Sequence, residues 1–314
     1  GLKIFICTAK AFDFDKRRAA QMGADGYVLK PIKEKDFFAT LDKVMSNKVD
    51  LTFWGVRGTL PRPGEDSLRY GGNTSCVSLE FPRGQRFIFD AGTGIKSLGD
   101  HLMSLGSRLE ATIFISHPHW DHINTLPFFV PLYVPGNQFE IVGASHGPTR
   151  MQDLVSAQMD GVYFPITMRE FGSKVDFRDL HEGSFDFHGI PVDAMLLSHP
   201  GNCLGYRVRF DDRKICYITD QELWPSKSPH FSEDYDKQIA DFISGADAVI
   251  MDTNYFESEY EAKVGWGHSS VNEAVGLAHR AEVKTLYLFH HDPNHDDEAI
   301  DRKLSIAQKL LDEL

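Results

Sequence analysis

ATIFISHPHWDH, residues 111–122, runs from an apolar stretch straight into three histidines and an aspartate. A short apolar run rich in β-branched and aromatic residues reads as a buried strand. The polar cluster therefore falls where the strand ends and the chain leaves the sheet. His117 and His119 alternate, and alternate side chains of extended backbone point the same way, so the two can grip one ion. Asp121 and His122 lie just beyond, where the chain must turn, and can serve a second ion. Imidazole nitrogen and carboxylate oxygen are ligands that dications such as zinc accept. Trp120 carries no ligand role and is expected to pack or to shape the mouth of the pocket.

Three further stretches repeat the pattern of an apolar strand followed by a ligand. MLLSHPG ends on His199, CYITD on Asp220, and LYLFHHDP on His290 and His291. His290 is preferred over His291 because the first residue after the run is still positioned by the strand. Asp220 is the natural bridge, since a carboxylate can offer one oxygen to each of two ions while a neutral imidazole has one free nitrogen. Recurrent strand-end ligands point to one edge of a fold where loops converge. Asp90 in FIFDAGTG ends another strand and is expected to orient a ligand histidine or a metal-bound water. Asp252, Asn73 and Thr74 are expected to support or line the pocket, the last two through turn chemistry.

Working outward, the chain has 314 residues, of which 42% are apolar and 25% charged, ordinary values for a globular protein. No run approaches about 18 consecutive apolar residues, and the N-terminus lacks the layout of a signal peptide. Neither export nor membrane spanning is expected. Cys7, Cys76, Cys203 and Cys216 are widely spaced and form no CxxC pair, as expected of reduced thiols in a cytoplasmic protein. The net charge of −12 is carried beyond residue 48, because the first 48 residues hold ten Lys/Arg against six Asp/Glu. An acidic surface argues against stable binding to long nucleic acid. It still permits a small anionic substrate, because bound dications invert the local potential.

Residues 1–48 read as a βαβα unit: KIFICT, FDFDKRRAAQMG, DGYVLKP and EKDFFATLDKVM. From residue 49 to 314, hairpin-like strands come first and then alternate with helices, which predicts an α/β domain of two sheets with outer helices. GWGHSSVNEA places His268 just before a helix whose Ser270 and Glu273 match a capping box. Gly265 and Gly267 are expected to let the backbone turn closely against the site.

Together, HPHWDH, His199, Asp220 and His290 resemble the metallo-β-lactamase superfamily, with its αββα sandwich. FWGVRG, YGGNTSCV, FDAGTG and GWGHSS followed by YLFHHDP resemble its phosphodiesterase-like branch, which includes tRNA 3′-processing endonucleases and cyclic phosphodiesterases. The resemblance implies that His117, His119 and His199 hold one ion and Asp121, His122 and His290 the other, with Asp220 between them. It implies two divalent ions, zinc first, with manganese or iron as alternatives. A water shared by both ions would be acidified and would attack phosphorus, with Asp121 orienting it and His268 contacting phosphate or protonating the leaving oxygen. Cys216 reads as a packing residue rather than a ligand.

The alternatives are hydrolysis of a β-lactam or thioester, and a non-catalytic scaffold. For the scaffold, residues 1–48 matter: Thr8 and GADGYVLKP with Lys30-Pro31 resemble the C-terminal part of a response-regulator receiver domain. Only two βα units match and the phospho-accepting aspartate has no counterpart, so a working switch is not expected. Such an incomplete unit offers a surface for a homodimer.

Overall fold

In a computed structural model of the chain, residues 4–9, 12–45 and 48–314 are described. The N-terminal βαβα order is present: β1 (Phe5–Thr8), α1 (Asp13–Gln21), β2 (Gly26–Leu29) and α2 (Glu34–Met45), with β1 and β2 parallel. α1 stops at Met22, and Gly23 turns the chain at φ +89°, where a side chain would be disfavoured. This unit touches the rest through Asp25, which is buried and paired with Arg83 Nη2 at 2.7 Å.

The remaining strands form two six-stranded sheets. The first contains β3 (Asp50–Gly55), β4 (Cys76–Glu80), β5 (Arg86–Phe89), β6 (Glu110–Ile115), β7 (Gln138–Ala144) and β8 (Lys174–Leu180), in that spatial order. The second contains β9 (Gly183–Phe187), β10 (Ile190–Leu196), β11 (Leu204–Phe210), β12 (Arg213–Ile218), β13 (Ala248–Asp252) and β14 (Leu286–Phe289), also in sequential order. Each sheet begins antiparallel and finishes parallel: β5 to β8 in the first, β12 to β14 in the second.

Side-chain alternation lets a central strand serve two cores at once. On β5, Phe87 and Phe89 face the other sheet while Ile88 faces outward. Phe114 on β6, Tyr217 on β12 and Ile250 on β13 join the same inner core. The outer face of the first sheet is covered by α3 (Gly94–Ser104), through Ile95, Leu98 and Leu102, and by α5 (Met151–Gln158), through Met151 and Val155. Between them in the chain lies the short α4 (Trp120–Ile123). The outer face of the second sheet is covered by α6 (Glu233–Ile243), which supplies Ile239 and Ile243, and by α8 (Val271–Arg280), which supplies Leu277. The short α7 (Glu257–Tyr260) precedes α8, and α9 (Asp297–Glu313) packs on it through Ala307. The architecture is an αββα sandwich. Cys216 is fully buried in the outer core of the second sheet, among Ile218, Val249 and Ile243. No helix among the described residues is long and apolar enough to cross a membrane.

Candidate metal centre

The strand ends of both sheets meet at one rim. His117 and His119 occupy the loop between β6 and α4, and Asp121 and His122 lie on α4. His199 follows β10, Asp220 follows β12 and His290 follows β14. All seven side chains converge: ligand atoms of His117, His119, His199 and Asp220 form one group, and those of Asp121, His122 and His290 another. His291, by contrast, turns into a bridge with Arg57, its N–H donating to Val56 O at 3.0 Å.

Asp220 divides its two oxygens between the groups. Its Oδ2 lies 3.5 Å from His117 Nε2 and 3.6 Å from His199 Nε2. Its Oδ1 lies 3.1 Å from both His122 Nε2 and His290 Nε2. In the second group, Asp121 Oδ2 is 3.1 Å from each of the same two nitrogens, which are themselves 3.2 Å apart. A tetrahedral ion with ligand atoms about 2.0 Å away has edges of about 3.3 Å, so these four atoms have the spacing of one coordination shell. In the first group, His199 Nε2 and His119 Nδ1 are 3.2 Å apart, and His117 Nε2 is buried with no hydrogen-bond partner. A lone pair aimed at nothing inside a protein is costly, and a cation would satisfy it. The donor set fits two dications.

Neighbouring groups set the ring orientations. His122 Nδ1 donates to Asp90 Oδ2 at 2.7 Å, which turns its Nε2 lone pair towards the cluster. Ser116 Oγ also donates to Asp90, at 2.9 Å, and lies 3.1 Å from His117 Nδ1. Asp90 thus orients one imidazole in each group, directly or through Ser116, and Tyr217 OH donates to it at 2.7 Å. His199 Nδ1 donates to Gly267 O at 2.9 Å. Asp121 Oδ2 accepts from Thr59 N at 2.7 Å.

Electrostatics follow this packing. Burial alone would raise the carboxyl of Asp121, but His122 and His290 outweigh it and hold it well below the usual carboxylate range. Burial keeps the His117 imidazole neutral. For His268, burial pushes down, yet Asp252 Oδ2, 2.6 Å from Nδ1, outweighs it and holds the imidazolium up at about 9. His268 stacks on His290 with ring centroids 4.9 Å apart, and Asp220, His268 and His290 form a third close group.

The rim is also where backbone strain collects. Among the described residues, seven non-glycine residues have positive φ, and Thr59, Asp90, Asp220 and His290 are four of them. Each costs about 1–2 kcal/mol, and such strain gathers at functional sites. His119 remains exposed, so the cluster opens to solvent on that side. Of the two roles expected for Trp120, packing and shaping the pocket mouth, its 82% exposure beside that opening fits the second. Asn73 and Thr74 act as turn residues, Thr74 and Thr93 each donating N–H to the other's hydroxyl at 2.8 Å. Ser270 caps α8 by accepting from Glu273 N at 3.4 Å. Sequence reasoning omitted Thr59, Ser116, Tyr217 and Glu222. None is a metal-ligand residue type at a ligand position. Ser116 directly precedes His117, but the carboxylates, ligands or loops they serve otherwise lie far along the chain.

Comparison with known proteins places this geometry. A ribonuclease Z from Nitrosopumilus maritimus is 24% identical over 262 residues, covering 71% of this chain and 85% of the relative. The crystal structure of human tRNase Z, short form, aligns with a TM-score of 0.55 at 22% identity, covering 78% of this chain and 93% of that one. The metallo-β-lactamase fold protein YhfI from Bacillus subtilis aligns with a TM-score of 0.58 at 15% identity, covering 82% and 91%. The receiver likeness of residues 1–48 receives no support from these matches. The profile of the beta-lactamase superfamily domain matches residues 85–291, a span that holds all seven clustered side chains, and the chain belongs to the metallo-β-lactamase superfamily.

Proposed function

We propose that the chain is a metal-dependent hydrolase of phosphodiesters, with a small cyclic or linear diester as substrate. The observation that carries this reading is the His268–Asp252 pair beside the metal cluster. A phosphodiester expels an alkoxide, whose departure gains from a proton donor, and Asp252 keeps His268 charged for that purpose. The ribonuclease Z relative supports the same chemistry by its name. In this reading His117, His119 and His199 hold one ion, Asp121, His122 and His290 the other, and Asp220 both. Two such ions would acidify a water and neutralise charge on the phosphoryl oxygens. Asp121, fixed by Thr59 N, orients the nucleophile, and His268 protonates the leaving oxygen. Zinc suits the imidazole-rich donor set best, with manganese or iron as alternatives.

We take residues 1–48 as an appended unit and 49–314 as the hydrolase domain. The unpaired thiols of Cys7, Cys76, Cys203 and Cys216 fit a reducing compartment such as the cytoplasm, and the appended unit offers a surface for a second copy. The deciding experiment is a substrate panel on zinc-loaded protein: bis-(p-nitrophenyl) phosphate and cyclic nucleotides against a chromogenic lactam and a thioester. Turnover of the diesters is expected, and turnover of the lactam or thioester alone would overturn the proposal.

A further inference from the structure

Glu222 lies two residues beyond Asp220, is 1% exposed, and forms no ion pair among the described residues. Burying a carboxylate without a cation is costly unless hydrogen bonds satisfy its oxygens. Three donors do so, all from the segment that leads into His268. Gly265 N donates to Oε1 at 2.7 Å, Gly267 N to Oε2 at 2.7 Å, and Tyr260 OH to Oε1 at 2.9 Å. Glu222 also donates its own N–H to Ser198 O at 2.9 Å, beside His199. One residue therefore joins the strand end that carries Asp220, the turn that carries His199 and the loop that carries His268.

Gly267 is where this matters. Its N–H is held by Glu222 while its carbonyl accepts from His199 Nδ1 at 2.9 Å. It has φ +85°, and a Cβ there would stand 2.3 Å from His199 Nδ1. The peptide backbone thus lies directly against a ligand ring, and its placement sets the ring. On its other side the loop is anchored by Lys263, whose ammonium lies 4.6 Å from the Tyr255 ring centroid and 5.2 Å from that of Trp266.

We infer that Glu222 is a positioning residue: through Gly267 it holds His199 in its ligating orientation, and through the same loop it sets His268 against the cluster. The inference rests on the metal reading above. Groups that orient ligands commonly alter metal affinity by about 10–100-fold, and Glu222→Gln, which keeps the shape but turns one acceptor into a donor, should fall in that range. The test is zinc content after dialysis against graded zinc–chelator buffers, together with the absorption spectrum of the cobalt(II)-substituted protein and the melting temperature of the metal-stripped protein.

Wild type should hold two ions. Glu222→Gln should retain the ion held by Asp121, His122 and His290, bind the ion at His199 about 10–100-fold more weakly, and show an altered cobalt spectrum, with kcat reduced more than KM at saturating metal. Two ions bound as tightly as in wild type, with an unchanged spectrum, would overturn the inference alone, whatever happens to the melting temperature. A wild type that holds no pair of ions overturns the metal reading and this inference with it. Should the Gln variant fail to fold, Tyr260→Phe carries the test, since it removes one donor and leaves both glycine contacts. A weaker loss of affinity at the same ion supports the inference, and no change overturns it.

Discussion

His268 Nδ1 donates to Asp252 Oδ2 across 2.6 Å, and Asp252 is fully buried at the end of β13. The bond holds the ring within the close group that His268 forms with Asp220 and His290. Asp252→Asn keeps the shape and removes the charge. We expect kcat on an unactivated diester to fall by about 100-fold, the lower end for loss of a proton donor. A substrate with a p-nitrophenolate leaving group should be affected far less. The pH profile gives a second measurement. In the proposed mechanism His268 acts as the protonated form, so rate should fall as pH rises through its ionisation, which Asp252 holds at about 9 against the downward push of burial. Bound dications push in the same direction as burial, so the alkaline limb of the wild type lies at or below that value. In Asp252→Asn it moves to lower pH.

Gly58 lies against the ring of His290, where a Cβ would stand 2.4 Å from both Cε1 and Nδ1. Gly58→Ala should displace His290 and release the ion of the second group while leaving His117, His119 and His199 in place. Metal analysis is expected to give close to one equivalent instead of two. Retention of both ions would show that the loop yields to the methyl group.

Metal binding should stabilise the fold, because the ligands come from both sheets and no such site exists in the unfolded chain. With free zinc about 100-fold above its Kd, one site contributes about 2.7 kcal/mol. Calorimetry should give a Tm several degrees higher with zinc than after chelation. His119→Ala should remove most of the gain attributable to the first ion, and with it hydrolysis.

Lys303 is wholly buried on α9, and its Nζ donates to Thr253 O and Asn254 O, each at 2.7 Å. Burial lowers its ionisation from 10.5 to about 7, against the opposing pull of Asp252. The unfolded chain therefore binds one more proton than the folded one between these two values. Stability from this residue is complete above the unfolded pKa and is lost as pH falls towards the folded one, with a slope of up to about 1.4 kcal/mol per pH unit. Lys303→Met should flatten that part of the stability–pH curve in denaturant titrations. It should also cost about 1–3 kcal/mol for each carbonyl left unsatisfied.

The convergence of the seven side chains was legible because each follows an apolar strand, and parallel strands deliver their ends to a common rim. Asp90 was legible for the same reason. Strands such as β8 are faint in the sequence, because an edge strand half-exposed to water sets Val175, Phe177 and Leu180 among charges and carries a weak apolar signal. Glu222 could not be read. Its partners lie 38 to 45 residues away, and no local pattern states which loop will close over which carboxylate. For Trp120 the motif leaves packing and the pocket mouth as alternatives, because aromatic character alone does not say which side of a rim a ring will take; its exposure beside His119 decides for the mouth.

His117, His119, Asp121 and His122 are supplied by the first sheet, while His199, Asp220 and His290 come from the second. The link between the sheets is the short connection from Leu180 to Gly183. Cutting the chain there would leave two fragments, each with the makings of a six-stranded sheet and neither with a complete coordination shell. Reassembly of the fragments would then be a metal-dependent association, so zinc concentration could act as the effector of a split enzyme built from this fold.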